Sequence, residues 1–211
     1  MDAPGAQARL RSSFTDALRA YAAQRNSPAL APGAALLDVG CSVGISTRAL
    51  CGAFPEAGSV TGLDLSPYML AVAACREADA GAGARPDGPS RRYVHAAGEA
   101  TGLGPGSVAL YAASFLFHEL PHAASRAVLA EAHRVLAPGG VFAMCDNDPR
   151  SAVIQSLPPA LFTLMKSTEP HSDEYYVFDL EAALRAAGFE DVTTVQTDPR
   201  HRTVMGTKRR A

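Results

Sequence analysis

The run from Ala35 to Thr47 constrains this chain more than any other. An apolar stretch leads to an acid, Asp38, then breaks into a loop carrying Gly40 and Gly44, and a helix-like segment follows at once. Buried strand, tight glycine turn and helix N-terminus is the construction that brings a backbone close to a nucleotide. Spacing decides which nucleotide. A dinucleotide fingerprint needs glycine at the first, third and sixth positions. Counted from Gly40, those positions hold Gly40, Ser42 and Ile45, so the pattern fails. The charge points the same way, because a carboxylate at Asp38 repels a pyrophosphate and attracts an amino-acid ammonium group. A nicotinamide-dependent dehydrogenase is therefore disfavoured.

Around that loop, strand and helix patterns alternate along the chain, which predicts an α/β fold with a mostly parallel sheet covered on both faces. Residues 9–24 read as an amphipathic helix with Leu10, Phe14, Leu18 and Tyr21 on one stripe, closed by Asn26-Ser27-Pro28. Strands are expected over Ala35–Val39, Ser59–Asp64, 92–96, Val108–Ser114 and 141–146. Ser66 N-caps a helix over Pro67–Ala80 with proline at its first position. A Gly/Pro/Ala-rich stretch, 81–90, reads as a flexible loop without function. A helix over 123–136 stops at Pro138-Gly139-Gly140. The rhythm breaks over 147–177, where a short helix at 157–165 is expected inside a substrate-covering insertion. Asp179 caps a further helix ending at Gly188, and residues 191–196 and 202–207 form a final antiparallel pair. The 211 residues suit one domain that spans the chain, with an N-terminal helical segment over 1–30.

Composition narrows the function. A net charge of −2 gives no footprint for phosphate backbones, and Lys208, Arg209 and Arg210 read as a solvated tail. No nucleic-acid partner is expected. No apolar run is long enough to span a bilayer. Cys41, Cys51, Cys75 and Cys145 form no CxxC pair and lack a close histidine, so they read as small thiols in a reducing compartment, Cys41 as packing. Neither a disulfide nor a metal site is expected. The start at Met1-Asp2-Ala3-Pro4 shows no secretory pattern, which predicts an intracellular protein, cytoplasmic or organellar.

Further segments follow the glycine loop in a set order. They are Val60 to Met69 with Asp64 at a strand end, Tyr93 to Glu99, Val108 to Pro121, and Glu131 to Met144. Together with Asp38 to Gly44 they resemble the class I S-adenosylmethionine (SAM)-dependent methyltransferases. The flavour is that of the small-molecule branch, like the methyltransferases of quinone biosynthesis and their plant and algal relatives. The resemblance covers residues 34–146 well and the rest loosely. It implies a Rossmann-like sandwich, SAM as cofactor, and in-line transfer of the methyl group to an oxygen, carbon or nitrogen of a small molecule.

Carried onto this sequence, the resemblance puts Asp38 at the ammonium end of SAM and lets Gly40 and Gly44 admit the cofactor. Ser42 stands where the family usually has a middle glycine. Asp64 would accept both ribose hydroxyls, since a carboxylate offers two acceptor oxygens, and Leu65 and Met69 would wall the adenine. Ala97 replaces the family's frequent acidic acceptor for the adenine amine, leaving Gly98 and Glu99 to take over. Ser114 and Phe115 follow the fourth strand at the sheet's carboxyl edge. Structural readings stand beside these: Asp38 and Glu99 as turn or helix caps, Leu65 and Met69 as core.

His118 is the candidate for contact with the methyl acceptor. A histidine near pKa 6.5 takes a proton from a hydroxyl or acidic carbon as the methyl arrives, although Glu119 or a backbone carbonyl could instead satisfy it. Phe117, His171, Tyr175 and Tyr176 would complete the acceptor pocket, or would pack the lid. His122 and His133 read as helix-surface residues. Methylation of protein or nucleic acid is the alternative within the fold. The Asn/Asp-Pro-Pro-aromatic motif of nucleic-acid amino-methylases is missing after the fourth strand, where Ser114-Phe115-Leu116-Phe117 stands, and Asp146 to Pro149 follows the fifth strand instead. A non-catalytic SAM-fold binding protein stays open because of Ser42 and Ala97. The acceptor is not fixed by the fold.

Overall fold

The computed structural model describes residues 5–80 and 88–210. Seven strands form one sheet: β1 (Ala35–Val39), β2 (Ser59–Asp64), β3 (Ser90–His95), β4 (Val108–Ser114), β5 (Leu136–Asn147), β6 (Phe189–Gln196) and β7 (His201–Lys208). Their order is β3-β2-β1-β4-β5-β7-β6. β1 to β5 pair in parallel, and β7 runs antiparallel to both β5 and β6. The chain order reverses between β1 and β4, so their carboxyl ends form the crevice where open α/β sheets take ligands.

Alternation along the central strands feeds two cores. Leu36, Leu110, Val141 and Ala143 pack with Leu10, Phe14 and Leu18 of α1 (Ala6–Gln24) and Leu50 of α2 (Ile45–Ala53). On the other face, Leu37, Tyr111, Phe142 and Met144 meet Val128 and Leu129 of one helix and Leu180 and Leu184 of another. Those helices are α4 (His122–Val135) and α8 (Leu180–Ala186), while α3 (Pro67–Ala80) flanks β2 and β3. Asp179 and Ser66 accept the cap bonds expected of them, from Ala182 N and Met69 N, and Gly188 leaves α8 at φ 97°.

Three differences from the sequence reading have plain causes. β5 begins at Leu136 rather than at residue 141, because Pro138-Gly139-Gly140 forms a bulge inside the strand: the register with β4 jumps between Val108 and Leu110, and Gly139 sits at φ 75°. Residues 147–177 hold three short helices, α5 (Ala152–Gln155), α6 (Pro159–Thr168) and α7 (Ser172–Val177), and α6 buries none of its residues. The basic tail is anchored, not loose: Lys208 Nζ donates to the carbonyls of His133 and Leu136, and Arg210 to those of Arg25 and Asn26. The expected loop at 81–90 falls mostly outside the described residues, as does the start at Met1 to Pro4, and Ser90 already belongs to β3. Among the described residues no helix is long and apolar enough to cross a membrane.

Candidate active site

The loop after β1 is tied to the end of β2. Gly40 N and Cys41 N both donate to Leu63 O, at 2.8 and 3.0 Å. Asp64 completes the tie, accepting Ser42 N on Oδ2 at 2.7 Å and Ser66 N on Oδ1 at 2.8 Å. Ser42 needs that bond. Its φ of 47° lies in the left-handed region, which costs a residue with a Cβ roughly 1–2 kcal/mol. The serine therefore adopts the conformation a glycine would take more cheaply.

Gly44 corrects the expectation that it admits the cofactor. At φ 78° it is buried, and a Cβ there would run into the Tyr93 hydroxyl, so what it accommodates is a neighbouring side chain. A Cβ on Gly40 would stand 3.1 Å from the Leu116 side chain.

Asp38 lies beneath the loop, fully buried, rather than open to the cleft as expected of an ammonium partner. Oδ2 accepts from Ser46 Oγ at 2.7 Å and Thr47 Oγ1 at 2.6 Å, in the first turn of α2. Burial pushes its pKa up to about 6, against the lowering effect of those two hydroxyls. Oδ1, however, is buried with no partner. Leaving a buried carboxylate oxygen unmatched is costly, and a donor arriving through the glycine loop would complete it.

Next to the loop is a cleft of about 400 Å³. Gly40, Cys41, Ser42 and Val43 form one wall, Ser114, Phe115 and His118 another, and Leu10, Arg11 and Phe14 of α1 a third. The α1 contribution was invisible in the sequence, where the helix showed only a core-facing stripe. Arg11 donates from Nη1 to Gln7 O, and burial lowers its pKa.

His118 brings the most chemistry to the cleft. It sits in a 3₁₀ turn, Phe117–Glu119, just past β4, and Phe115 before it is held at φ 58°. Its Nδ1 lies 2.7 Å from Asp146 Oδ1, at the end of β5, and its backbone N–H donates to Asp146 Oδ2 at 3.2 Å. Nε2 remains, 3.5 Å from Glu119 Oε1. Burial alone would lower the pKa of the ring, but the hydrogen bond and charge of Asp146 overcome it and raise the value to about 9. Sequence reasoning missed Asp146. Only the parallel pairing of β4 with β5 sets residues 118 and 146 side by side.

Other expected site residues belong to the scaffold. Phe117 is fully buried, edge-on to Phe142 in the core. Tyr175 is 1% exposed and donates its hydroxyl to Asn147 O at 2.5 Å. Tyr176 packs on Phe162, and His171 faces Glu174 one helical turn away at 3.3 Å. None of the four lines the cleft, although the Tyr175 ring lies edge-on to that of His118, with centroids 6.5 Å apart. His122 and His133 are not free surface groups either: His122 binds Glu174, and His133 packs against Phe189. Glu99 is exposed, with no helix after it to cap. Ala97 pairs with Ala100 in an isolated bridge, and Gly98 O accepts from Tyr111.

The residues present fit SAM. Asp38 offers one unmatched oxygen below the loop. Each oxygen of Asp64 accepts one backbone N–H and keeps a lone pair for a ribose hydroxyl. Leu65 and Met69, 68% and 44% exposed, leave an uncovered apolar edge at the start of α3, as a flat adenine requires.

Comparison with known proteins agrees with that geometry. A family model described as a methyltransferase domain matches residues 36–140. An uncharacterized methyltransferase of Synechocystis sp. is 31% identical over 161 residues, which cover 76% of this chain and 69% of that protein. A SAM-dependent methyltransferase from Aquifex aeolicus shares the fold with a TM-score of 0.68 at 20% identity, covering 98% of this chain and 94% of the other. Phosphoethanolamine N-methyltransferase 2 of Haemonchus contortus, solved with SAM, superposes with a TM-score of 0.65 at 15% identity, over 92% of this chain and 53% of its own. Likeness in sequence over 69% of the Synechocystis protein, together with the matching domain model, establishes that the chain belongs to the methyltransferases.

Proposed function

We propose that this methyltransferase acts on a small molecule bearing an acidic hydroxyl or an acidic carbon, with His118 as general base. The observation that carries the reading is the His118–Asp146 pair in the wall of the cleft that the glycine loop also lines. SAM, when bound, supplies a methyl carbon on a sulfonium, open to in-line displacement. Asp64, Leu65 and Met69 would hold its nucleoside end, and the unmatched oxygen of Asp38 its ammonium.

The chain's own part is to place the acceptor and manage one proton. Asp146 fixes the imidazole through Nδ1, so Nε2 is the atom that receives the acceptor's proton. A ring whose pKa stands at about 9 holds such a proton firmly. Loss of that proton would leave the acceptor as an anion beside the new imidazolium, its oxygen or carbon ready for the methyl that SAM would supply. Only the unprotonated ring acts as base, so kcat/KM should climb with pH and level off near 9.

The experiment is incubation with methyl-labelled SAM and a metabolite extract, followed by identification of the labelled species by mass. H118N should retain SAM affinity while labelling falls about 10²–10⁴-fold. Label appearing only in protein or nucleic acid, or full labelling by H118N, would overturn the proposal.

A further inference from the structure

A second cavity, of about 390 Å³, adjoins the first. Arg9, Leu10 and Ser13 of α1, Val153 of α5, and Arg200 and His201 at the turn into β7 build most of its wall. Leu10 lines both cavities. The Phe115 ring of the first meets the His201 ring of the second edge-on, with centroids 5.2 Å apart. A ligand too long for the first compartment would pass along this ring pair into the second.

Among the described residues, the second compartment has a net positive lining. Among those residues the one carboxylate, Asp198, is already engaged: Oδ1 accepts the backbone N–H groups of Arg200 and His201 at 2.7 and 2.9 Å, and lies 2.8 Å from His201 Nδ1. Those bonds fix the orientation of the His201 ring and leave Nε2 as its other nitrogen. Two guanidinium groups, Arg9 and Arg200, stand in the same wall, and arginine keeps its charge at any physiological pH. Leu10 and Val153 supply apolar surface between them.

We infer that this compartment seats an anionic oxygen group, a carboxylate or a phosphate, at the end of the acceptor remote from the methylated atom, held by the Arg9 guanidinium beside the His201 ring. The inference rests on the reading of the first cavity as the methyl-transfer site and names its substrate class: small acids that reach past Phe115. A planar guanidinium suits carboxylate and phosphate oxygens alike.

Inorganic phosphate and acetate, titrated separately into the SAM-loaded protein, serve as probes, with the Cε1–H signals of His201 and His118 followed by NMR. Saturable movement of the His201 signal is expected with one of them, and which one identifies the group. R9Q should weaken that affinity about tenfold, the factor for losing one charge-assisted hydrogen bond. Absence of saturation with either anion, or equal affinity in R9Q and the native protein, overturns the inference. Calorimetry with SAM on the same samples separates two failures. A native protein that does not bind SAM defeats the methyl-transfer reading, whereas normal SAM binding without anion saturation defeats only the second compartment.

Discussion

Replacing Asp146 with asparagine isolates the interaction on which the chemistry of the cleft depends. His118 Nδ1 and Asp146 Oδ1 are 2.7 Å apart, with the histidine 7% exposed and the aspartate fully buried. Solvent therefore screens this pair little. The pKa of the ring stands at about 9 against an ordinary value of 6.5. At 1.36 kcal/mol per pKa unit the pairing is worth on the order of 3 kcal/mol in the protonated state. A histidine whose pKa rises on folding contributes stability that is complete below 6.5 and is lost as pH climbs through 9. The native protein should thus lose about 3 kcal/mol from this group between those values, or roughly 6–12 °C in Tm for a domain of this size. D146N should lose that pH dependence, because burial without the carboxylate holds the ring at or below its ordinary value. The variant will also be less stable at every pH, since His118 N and Asn147 N donate to the same carboxylate. The slope with pH, not the level, is diagnostic. Thermal melts from pH 6 to 9.5, paired with NMR titration of the His118 ring, measure it. A native midpoint near 6.5, or equal slopes in the two proteins, would refute the reasoning.

Two further outcomes are expected at the cofactor end. D64A removes the acceptor of Ser42 N and Ser66 N as well as that of the ribose hydroxyls, so calorimetry should show SAM affinity reduced by about 2–4 kcal/mol; unchanged affinity would remove Asp64 from the site. D38N separates folding from binding. Burial raises the Asp38 pKa to about 6, so the stability this carboxyl gives when protonated is gone by pH 7. The ligand-free variant should then melt no lower than the native protein at that pH, while its SAM affinity falls at least about tenfold, the loss of one charged partner. Undiminished SAM binding by D38N would show that the unmatched oxygen faces no part of the cofactor.

Much of the scaffold was legible because it rests on local signals. Asp38, Gly40 and Gly44 marked the strand-loop-helix junction by spacing, and Ser66, Asp179 and Gly188 marked helix ends by side-chain chemistry acting over three or four residues. The bulge at Pro138-Gly139-Gly140 was not legible as strand, because proline and glycine ordinarily end regular structure, and here the pairing of β5 with β4 and β7 overrides them. Among site residues, Phe117, Tyr175 and Gly44 could be read two ways for one shared reason. Their residue types suit both packing and ligand contact, and in the structure their side chains or neighbours pack inside the protein.

The sequence by itself determined the parallel α/β frame and the two acids at neighbouring strand tips, Asp38 and Asp64, since periodicity and turn chemistry operate between residues close in the chain. Tertiary structure decided which atoms meet. The pairing of β4 with β5 brought His118 to Asp146, the packing of α1 on the sheet carried Leu10 and Arg11 to the cleft, and the turn into β7 set His201 against Phe115. Such encounters join residues tens of positions apart in the chain, and they are fixed by strand register and by the burial of shared apolar surface, neither of which leaves a mark in local sequence.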